Sequence, residues 1–588
     1  MNSTAAPTKS WYLPFLLLLA GMGGLLAGID FGIIAGALLY LDKTIPMTPA
    51  QQGFMVAIYT FGGIVASLFA GTLADLLGRK KMMVIGGLMF VVSILLIFVS
   101  SGYVTLLMGR ILMGLSGGVV CVVVPLFLAE CLPTAFRGRG TSAFQLLLTL
   151  GLVLATIISK YFAGIHDLAV TAANGDANLI FAADNAAWRS IFLTACVPGA
   201  LFVALALMAS ESPRWLFRRN RVEEASRILG FTRTSDEVAL EIGEMRERSN
   251  QEHRPQQGAS SLPSTASDSL LQRKYVVPFL ISCTVLACTQ ATGINTILPF
   301  SAKILQGAGL TEKAAADSLW LITGTNCIIT LIGALLVDKL GRKVLLSIGT
   351  AGIVGCLATA GAMFLSFESK RVEVLDQVRA QVAADGLSMS IPVTDALAKL
   401  EGGVPGQLSV TYKFDKDTKP KVVTGFSNAA VEKDRTLVIE QDSEKKWDTV
   451  DGRKVEVTRV IDAGKLEILR ASYGPIASPA TGQWVLVLLC AFIGFFAVGP
   501  GVCVWLALTE LMPTRIRSTG MGVAMVLNNG VAFISALVFP VVVGSQGFHM
   551  MFFNWAGFTV IYFITAAFIM PETKGRTLEE IEDHFAGK

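Results

Sequence analysis

Long apolar segments separated by short polar loops dominate the chain. A helix needs roughly 20 consecutive apolar residues to cross a bilayer core about 30 Å thick. Twelve segments meet this requirement, at about 13–39, 52–76, 83–101, 105–131, 140–164, 187–209, 275–303, 316–337, 344–366, 482–511, 518–544 and 550–570. We therefore predict an all-α membrane protein with twelve transmembrane helices.

Two longer polar blocks interrupt this alternation. Residues 210–274 are charged and have a helical pattern before they become rich in Gln, Ser and Pro, which predicts a helical linker domain. Residues 367–481 alternate apolar and polar positions with β-branched residues, as strands do, at 408–414, 436–440 and 454–458. A segment near 370–384 has a helical pattern. We expect this second block to form a small α+β domain outside the membrane.

Composition agrees with a membrane protein. Of 588 residues, 53% are hydrophobic and 16% are charged, whereas soluble domains have roughly 25% charged residues, and the mean hydropathy is +0.60. A net charge of +4 gives no indication of nucleic-acid binding. None of the nine cysteines has the spacing of a metal site. We interpret each as a small apolar side chain and predict no metal.

Basic residues in the short loops indicate the orientation. They follow spans 2, 4, 8 and 10, as Arg79, Lys80, Lys81, Arg137, Arg139, Lys339, Arg342, Lys343, Arg515 and Arg517. Because cytoplasmic loops carry the excess of Lys and Arg, we expect both termini and the block 210–274 to be cytoplasmic. The block 367–481 follows span 9 and should lie outside. It lacks cysteines and glycosylation sequons, which favours a bacterial inner membrane.

An internal repeat divides the chain into two parallel halves. The stretch Asp75–Lys80 recurs 263 residues later (338 − 75) as Asp338–Lys343, and Glu130–Arg137 recurs 380 residues later (510 − 130) as Glu510–Arg517. The second half thus carries 117 extra residues (380 − 263), which matches the 115 residues of 367–481. Two parallel six-helix halves are the architecture of major facilitator transporters.

These features divide the chain into five parts. We expect an N-terminal half at 1–209, the linker domain at 210–274, helices 7–9 of the C-terminal half at 275–366, the insertion at 367–481, and helices 10–12 with a cytoplasmic tail at 482–588. Three roles of the insertion stay open, namely a lid, a docking surface for a periplasmic partner and a spacer.

Several motifs make the sequence resemble the sugar porter family of the major facilitator superfamily. Gly71–Lys80 resembles the superfamily's cytoplasmic loop signature, and Glu211–Leu216 and Pro571–Arg576 are similar to the two sugar-porter signatures. Gln290–Asn295 resembles the family's Q-x-x-G-I-N stretch. The resemblance covers nearly the whole chain outside 367–481. It implies a transporter that binds a sugar between its two halves.

A single acid, Asp30, lies in the middle of the first span. Such a group is costly in a membrane and is a functional candidate by default, the alternative being an ion pair that only joins helices. We predict Arg110 of the fourth span as its partner. Desolvation favours the neutral acid and a nearby guanidinium favours the carboxylate, so a change in distance can switch protonation. By resemblance, Asp30 occupies a position that is acidic in proton-coupled sugar symporters and an amide in passive facilitators.

Amide side chains within the spans are the predicted sugar ligands, because Asn and Gln donate and accept hydrogen bonds as sugar hydroxyls do. The candidates, with an aromatic platform for the sugar's C–H face, are Gln145, Gln290, Asn295, Asn326, Asn528 and Trp505. Any lone amide is more often an interhelical hydrogen bond, worth about 0.6 kcal/mol. The resemblance places all six at sugar-contacting positions.

Three sites differ from the family's usual pattern. Thr289, which we also expect to bind substrate, stands where the first Gln of a pair in span 7 is usual. Pro299 and Phe300 replace a Tyr pair, and Asn529 replaces an aromatic residue. These differences leave open whether the substrate is a hexose, a pentose or a polyol.

Two features predict moving parts. Gly499, Pro500 and Gly501 would let the tenth span bend. Close packing against neighbouring helices explains these residues equally well. The resemblance implies that this segment is a mobile half-helix. The resemblance also implies a charge network between the halves that closes the cytoplasmic side, formed by Asp75, Arg79, Glu130, Arg137, Glu211, Arg214, Asp338, Arg342, Glu510 and Arg517. The alternative is that these charges only set the topology.

The sequence thus predicts a secondary active transporter, a proton-coupled symporter of a monosaccharide or polyol that works by alternating access. The alternatives are a passive sugar facilitator and a membrane sugar sensor. The insertion has no histidine, phosphate-binding loop or nucleophile elbow, so we do not expect an enzyme. We expect the proton as coupling ion, no other cofactor, and a monomer in the bilayer.

Overall fold

The computed structural model describes residues 11–253, 272–383, 385–393, 406–414, 421–426, 436–439, 443–450, 453–460, 464–475, 477–512, 516–572 and 585. Within these ranges, twelve helical segments are long and apolar enough to cross a membrane, as many as the apolar pattern predicts. Several of them extend beyond the predicted segments, because a helix can continue past the bilayer core.

The helices of the N-terminal half and the linker are α1 (Tyr12–Thr44), α2 (Pro49–Leu77), α3 (Arg79–Phe98), α4 (Tyr103–Cys131), α5 (Thr134–Ala172), α6 (Ala177–Thr194), α7 (Cys196–Met208), α8 (Pro213–Arg218), α9 (Val222–Leu229) and α10 (Ser235–His253). Those that follow are α11 (Arg273–Ala291), α12 (Ile294–Gly307), α13 (Glu312–Leu340), α14 (Arg342–Glu368), α15 (Leu375–Arg379), α16 (Pro479–Val498), α17 (Pro500–Leu511), α18 (Arg517–Gln546) and α19 (Phe548–Ile564). Of these, α15 belongs to the insertion, and α19 continues as a π-helical turn at Thr565–Ile569.

Three of the spans are built from two helices each. The sixth is divided at Ala195, the seventh at Gly293 and the tenth at Gly499. Gly293 has φ +86°, a left-handed conformation that glycine adopts readily, and a Cβ there would lie 2.5 Å from the Trp555 ring. Irregular backbone at membrane depth is tolerated where protein surrounds it or where it lines a cavity. The seventh span therefore breaks at Gly293, whereas Pro299 is accommodated inside α12.

Small residues bring the helices of the N-terminal half into close contact. Helix α1 packs on α5, and a Cβ at Gly28 would lie 1.9 Å from the Leu148 carbonyl oxygen. Helix α2 packs on α4, and a Cβ at Gly114 would lie 2.1 Å from the Tyr59 carbonyl oxygen. Lipid offers no hydrophobic contrast, so transmembrane helices gain packing energy from such close approaches.

The two ends of the bundle differ in what covers them. The linker helices α8–α10 lie at one end, where Trp215 Nε1 donates to the Asp75 carbonyl at the end of α2. We call this end the linker side. The described residues of the block 367–481 lie at the other end, the insertion side, next to the end of α14 and the start of α19. There the Glu368 carboxylate accepts the Phe548 N–H.

The insertion is built from short antiparallel strands. These are β1 (Val372–Glu373), β2 (Met389–Pro392), β3 (Gly406–Lys413), β4 (Lys421–Phe426), β5 (Thr436–Ile439), β6 (Ser443–Val450), β7 (Arg453–Val460) and β8 (Glu467–Pro475). One sheet has the order β1-β8-β3-β4, and β2-β5 and β6-β7 form two-stranded sheets. The three stretches predicted as strands are found in β3, β5 and β7. Leu408, Val410 and Tyr412 of β3 point into the insertion's own apolar core.

One prediction for the insertion is wrong. The segment near 370–384 is not one helix, because Val372 and Glu373 pair with β8 and only Leu375–Arg379 is helical. Pairing with the sheet overrides the local helical pattern, as tertiary contacts commonly override propensity.

Candidate transport site

Asp30 of α1 is enclosed by α2 and α4 within the N-terminal half. Only 1% of its surface is exposed. Its Oδ2 accepts a long hydrogen bond of 3.4 Å from the Tyr59 hydroxyl, and its Oδ1 has no hydrogen-bond partner among the described residues. A buried carboxylate with so few donors is costly as an ion. Gain or loss of a proton at Asp30 therefore has a large energetic effect.

Arg110 of α4 is the cation beside this acid, and it is also 1% exposed. Its guanidinium carbon lies 5.2 Å from the centre of the Tyr59 ring, its Nη1 lies 3.4 Å from Met113 Sδ, and its Nε has no hydrogen-bond partner within the described ranges. Asp30 forms no ion pair with Arg110, its predicted partner, in this structure. The Tyr59 side chain contacts both groups, and the partnership of Asp30 with Arg110 stays a prediction. The sequence prediction missed Tyr59, although a phenol in the middle of an apolar span was the available signal.

Close packing holds these three side chains together. A Cβ at Gly117 of α4 would lie 2.9 Å from Tyr59 Oη and 3.4 Å from Asp30 Oδ2. The Phe31 ring meets the Tyr59 ring edge-on, with centroids 5.3 Å apart. Interiors this dense do not deform continuously. A shift of α1 against α4 would therefore change the contacts of Asp30.

Two predicted sugar ligands are buried with unsatisfied amide oxygens. Gln290 of α11 is 9% exposed and Asn528 of α18 is 3% exposed. Neither Gln290 Oε1 nor Asn528 Oδ1 has a hydrogen-bond partner in the described part of the chain. Buried polar atoms are rarely left unpaired, and each exception needs an explanation such as an absent ligand. The hydroxyl groups of a sugar or polyol would satisfy both oxygens.

The other predicted ligands are more accessible. Asn295 at the start of α12 and Asn326 of α13 are half-buried, and Gln145 of α5 is exposed. Trp505 belongs to α17, but its side chain lies outside the described residues. The candidates therefore come from both halves, as a site between the halves requires, and their contact with substrate stays a prediction.

Thr289 is already engaged in hydrogen bonds. Its hydroxyl lies 2.7 Å from the Val285 carbonyl oxygen and 3.0 Å from the Tyr562 hydroxyl, and the residue is 4% exposed. In this conformation it joins α11 to α19 through Tyr562, which the sequence prediction missed. Its role as a substrate ligand stays a prediction.

Ion pairs join the two halves on the insertion side. Four pairs between described residues have one partner in each half, namely Asp42–Lys303, Lys43–Glu312 at 2.7 Å, Asp167–Lys313 at 2.8 Å and Lys160–Asp317 at 3.7 Å. Their side chains are between 26% and 62% exposed. Exposed pairs contribute about 0–1 kcal/mol each, so they close this side with contacts that break at little cost. The sequence prediction missed them, although charges at span ends were visible.

Uncharged contacts continue this closure towards the middle of the bundle. Thr156 and Thr323 share a hydrogen bond of 2.8 Å between their hydroxyls, and Thr149 Oγ1 lies 3.5 Å from Cys327 Sγ. The ion pairs and hydrogen bonds that connect described residues of the two halves lie in these two layers. The structure is thus closed on the insertion side.

On the linker side, four of the predicted gate residues form a cluster between the N-terminal half and the first residues of the linker domain. Arg79 is 2% exposed, and its Nη2 donates to Asp75 Oδ1 at 2.6 Å and to Glu130 Oε1 at 2.9 Å. Ser212 Oγ donates to Glu130 Oε2 at 2.5 Å, and Glu211 accepts the Arg79 N–H at 2.8 Å. None of these contacts involves a residue of the C-terminal half. The predicted network between the halves is therefore not formed by these residues in this conformation, in which the halves meet on the insertion side.

A carboxylate caps the corresponding helix in each half. Glu211 accepts the first two N–H groups of α3, at 2.8 and 3.1 Å, and Glu572 accepts the first two of α14, both at 3.1 Å. The residue before each helix is a glycine with positive φ, Gly78 at +99° and Gly341 at +91°. A Cβ there would lie 2.3 and 2.7 Å from the carboxylate oxygens. Each acid thus satisfies free N–H groups at the positive end of a helix dipole.

Six predicted gate residues remain. Arg214 lies in α8 and Arg342 begins α14. The side chains of Arg137, Asp338, Glu510 and Arg517 lie outside the described residues. The part that these six residues play in a gate stays a prediction.

The tenth span is divided at the predicted hinge. Helix α16 ends at Val498, Gly499 has φ −100° and ψ −96°, and α17 begins with Pro500 and Gly501. A Cβ at Gly499 would lie 2.8 Å from the Leu345 carbonyl oxygen of α14. This glycine thus provides both a helix break and a close approach to a neighbour, and its motion stays a prediction.

Comparison with known proteins identifies the class of protein. Residues 16–383 and 469–585 match the family described as sugar (and other) transporter. The unmatched stretch between them lies within the insertion. The chain belongs to this family, the sugar porters of the major facilitator superfamily.

Individual relatives agree with this assignment. The chain is 26% identical over 574 residues to the glucose transporter GlcP of Staphylococcus epidermidis, covering 97% of this chain and 96% of the relative. It is 27% identical over 570 residues to the proton myo-inositol cotransporter of Homo sapiens, covering 96% and 81%. Its fold resembles the inward open conformation of the xylose transporter XylE from E. coli, with TM-score 0.64, 19% identity, and coverage of 97% and 100%. The predicted family and fold class, with two six-helix halves and an α+β insertion, are confirmed, and the protein is a transporter rather than an enzyme.

Proposed function

We propose that this protein is a proton-coupled symporter that moves a monosaccharide or a polyol across the membrane by alternating access. The observation that carries the proposal is the buried cluster of Asp30, Tyr59 and Arg110, in which the acid is 1% exposed and has one oxygen without a hydrogen-bond partner in the described chain. Such a carboxyl group becomes neutral or charged according to its distance from the guanidinium. A passive facilitator has no need of so costly a group.

Helix α1 links this cluster to the opening of the transporter. It carries Asp30 in its middle and, at its insertion-side end, Asp42 and Lys43, which pair with the C-terminal half. A protonated Asp30 does not attract Arg110, whereas the carboxylate does. Proton uptake and release would therefore bias the position of α1 and, through it, the closure of the insertion side. States that differ by only a few kcal/mol suit such a switch.

Support for the substrate class comes from the polar groups predicted to bind the substrate. The unpaired oxygens of Gln290 and Asn528 require donors, and the accessible amides Gln145, Asn295 and Asn326 both donate and accept. A ligand with several hydroxyl groups meets both requirements. Two relatives are named as transporters of glucose and of myo-inositol, and the protein with the similar fold is named as a xylose transporter. These names support a monosaccharide or a polyol as substrate.

The orientation is part of the proposal. Arg79 at the start of α3 and Arg342 at the start of α14 lie on the linker side, so we assign this side to the cytoplasm and the insertion to the outside. We expect a monomer in a bacterial plasma membrane, with the proton as its coupling ion. The name of one relative, a proton myo-inositol cotransporter, supports that ion.

Uptake into proteoliposomes tests the proposed function. With an inward proton gradient, we expect D-glucose, D-xylose or myo-inositol to accumulate above equilibrium and to leak out again when a protonophore is added. Asp30→Asn should abolish accumulation and keep exchange of labelled for unlabelled solute. Asp376→Asn, an exposed acid of the insertion, is the matched control and should accumulate like the wild type. Equilibration without accumulation by the wild type would instead indicate a passive facilitator.

A further inference from the structure

A polar cleft lies between the insertion and the insertion-side ends of α18 and α19. Its volume is about 290 Å³, close to the lower end of the roughly 300–1,000 Å³ of small-molecule sites. Its walls include Arg371, Glu373, Ser409, Thr411, Arg470 and Ser472. None of the predicted transport ligands lines it, so the cleft is separate from the candidate transport site.

The cleft is lined by the polar face of the insertion's main sheet. The even-numbered residues of β3 are buried in the apolar core, so Ser409 and Thr411 lie on the opposite face. On the neighbouring strand β8, Ser472 stands opposite Ser409 and Arg470 stands opposite Thr411. Three hydroxyls and one guanidinium therefore form a continuous polar patch, which faces the helix ends across the cleft.

Fixed contacts hold the two walls of the cleft in place. Arg470 Nη1 donates to the Ser545 carbonyl oxygen at 2.5 Å, which ties β8 to the end of α18. Glu368 accepts the N–H groups of Phe548 and His549, at 2.9 and 3.1 Å, and lies 2.6 Å from His549 Nδ1. Both walls are thus anchored before any ligand arrives, as is usual for small-molecule sites.

The charges that line the cleft balance one another. Arg371 and Arg470 are opposed by Glu368 and Glu373, and the His549 imidazole, which also lines the cleft, lies against the Glu368 carboxylate. An anion would therefore meet two carboxylates, and a cation would meet two guanidinium groups. Guanidinium groups only donate hydrogen bonds, carboxylates only accept them, and hydroxyls do both. A neutral molecule that carries several hydroxyl groups matches all three kinds of partner.

We propose that this cleft is a second solute site, which binds a neutral polyhydroxylated small molecule such as a monosaccharide or a cyclic polyol. The inference goes beyond transport, because it rests only on the groups of the cleft itself. Its occupant would contact the end of α18, the helix that also carries Asn528.

Binding to the full-length protein in lipid nanodiscs tests this site. The measurement is saturation-transfer NMR, with D-glucose, D-xylose and myo-inositol as probes. The protein carries Asn528→Ala and Gln290→Ala, which should weaken binding at the transport site. We expect at least one probe to bind. Thr411→Val should weaken that binding about fivefold, the effect of losing one neutral hydrogen bond. Ser409→Arg, which fills the cleft, should abolish it.

Gln407→Ala is the matched control, because Gln407 shares the polar face of β3 but does not line the cleft. It should leave binding unchanged, and an unaltered elution profile in size-exclusion chromatography checks that each variant is folded. Three results would overturn the proposal: no probe binds in the double-variant background, Thr411→Val and Ser409→Arg leave binding unaffected, or inorganic phosphate displaces the probe. Proton-driven uptake by the wild type is measured separately, so a failure of the cleft is distinguishable from a failure of the proposed transport.

Discussion

The two ends of the bundle use charged residues in different ways. On the insertion side, four ion pairs between described residues cross from one half to the other, and their side chains are 26% to 62% exposed. On the linker side, Arg79 and Glu130 are 2% and 6% exposed and contact each other within one half. We infer that the insertion-side ion pairs separate during the proposed transport cycle, whereas the linker-side cluster keeps helix ends together throughout it.

The energies of these contacts support that division. An exposed ion pair contributes about 0–1 kcal/mol, whereas removing one partner of a buried pair costs about 3–5 kcal/mol. The proposed alternating access requires that the contacts between the halves be weaker than the contacts within each half. The contacts within a half can belong to the stronger class without hindering the cycle.

The largest effect on the free energy of unfolding is expected at Glu130. Glu130→Gln leaves the Arg79 guanidinium buried with only Asp75 as counterion, so the free energy of unfolding should fall by about 3 kcal/mol, the lower limit for a broken buried pair. Thermal unfolding in detergent measures the loss. Asp75→Asn is the control, because Asp75 is 55% exposed and should cost less than about 1 kcal/mol. Equal, small losses in the two variants would show that the cluster does not hold the half together.

The second largest effect on the free energy of unfolding is expected at the two capping acids, Glu211 and Glu572. Glu211→Gln and Glu572→Gln each remove a charge from the start of a helix, so we expect each to lower the free energy of unfolding by about 1–2 kcal/mol. Hydrogen exchange should accelerate at the first amides of α3 in one variant and of α14 in the other. A change confined to one half would contradict the equivalence of the two capping sites.

On the insertion side, we expect a smaller energetic effect, measured as a change in the labelling rate of Cys327. Asp42 pairs with Lys303 and accepts a 2.5 Å hydrogen bond from Gln52. Lys303→Asp should raise the labelling rate of Cys327 from this side by up to about fivefold, equivalent to about 1 kcal/mol. Mass spectrometry of the Cys327 peptide measures it. Adding Asp42→Lys should restore slow labelling, and a double variant that labels as fast as the single one would refute the pairing.

The smallest effect is expected at Lys160. Its ammonium lies 3.7 Å from Asp317, and both side chains are more than a third exposed, so Lys160→Ala should change Cys327 labelling by less than about twofold. A change as large as that of Lys303→Asp would mean that distance and exposure do not rank the pairs of this layer.

The fold could be predicted from the sequence because its signals are local and long. Each span needs only an apolar stretch, and the repeat of Asp75–Lys80 and Glu130–Arg137 in the second half needs only two short motifs. The strands β3, β5 and β7 were predictable from their period of two. The segment near 370–384 was not, since its strand depends on a partner about 100 residues away, at Ser472 and Tyr473.

The details of the site depended on packing that the sequence does not display. A span that is apolar all round does not reveal which face meets a neighbour, so Tyr59 could not be placed between Asp30 and Arg110. The ion pairs of the insertion side were hidden for a related reason. Charges at the ends of α1, α5 and α13 are visible in the sequence, but their pairing depends on the conformation in which the halves meet.

In the proposed mechanism, Asp30 takes a proton across the membrane together with the solute. Proteoliposomes that contain a pH-sensitive dye, with no gradient imposed, measure this directly when solute is added outside. The wild type should acidify the interior as solute enters, and Asp30→Asn should exchange labelled solute without any acidification. Solute entry into wild-type vesicles at constant internal pH, or equal acidification by Asp30→Asn, would rule out proton coupling through Asp30.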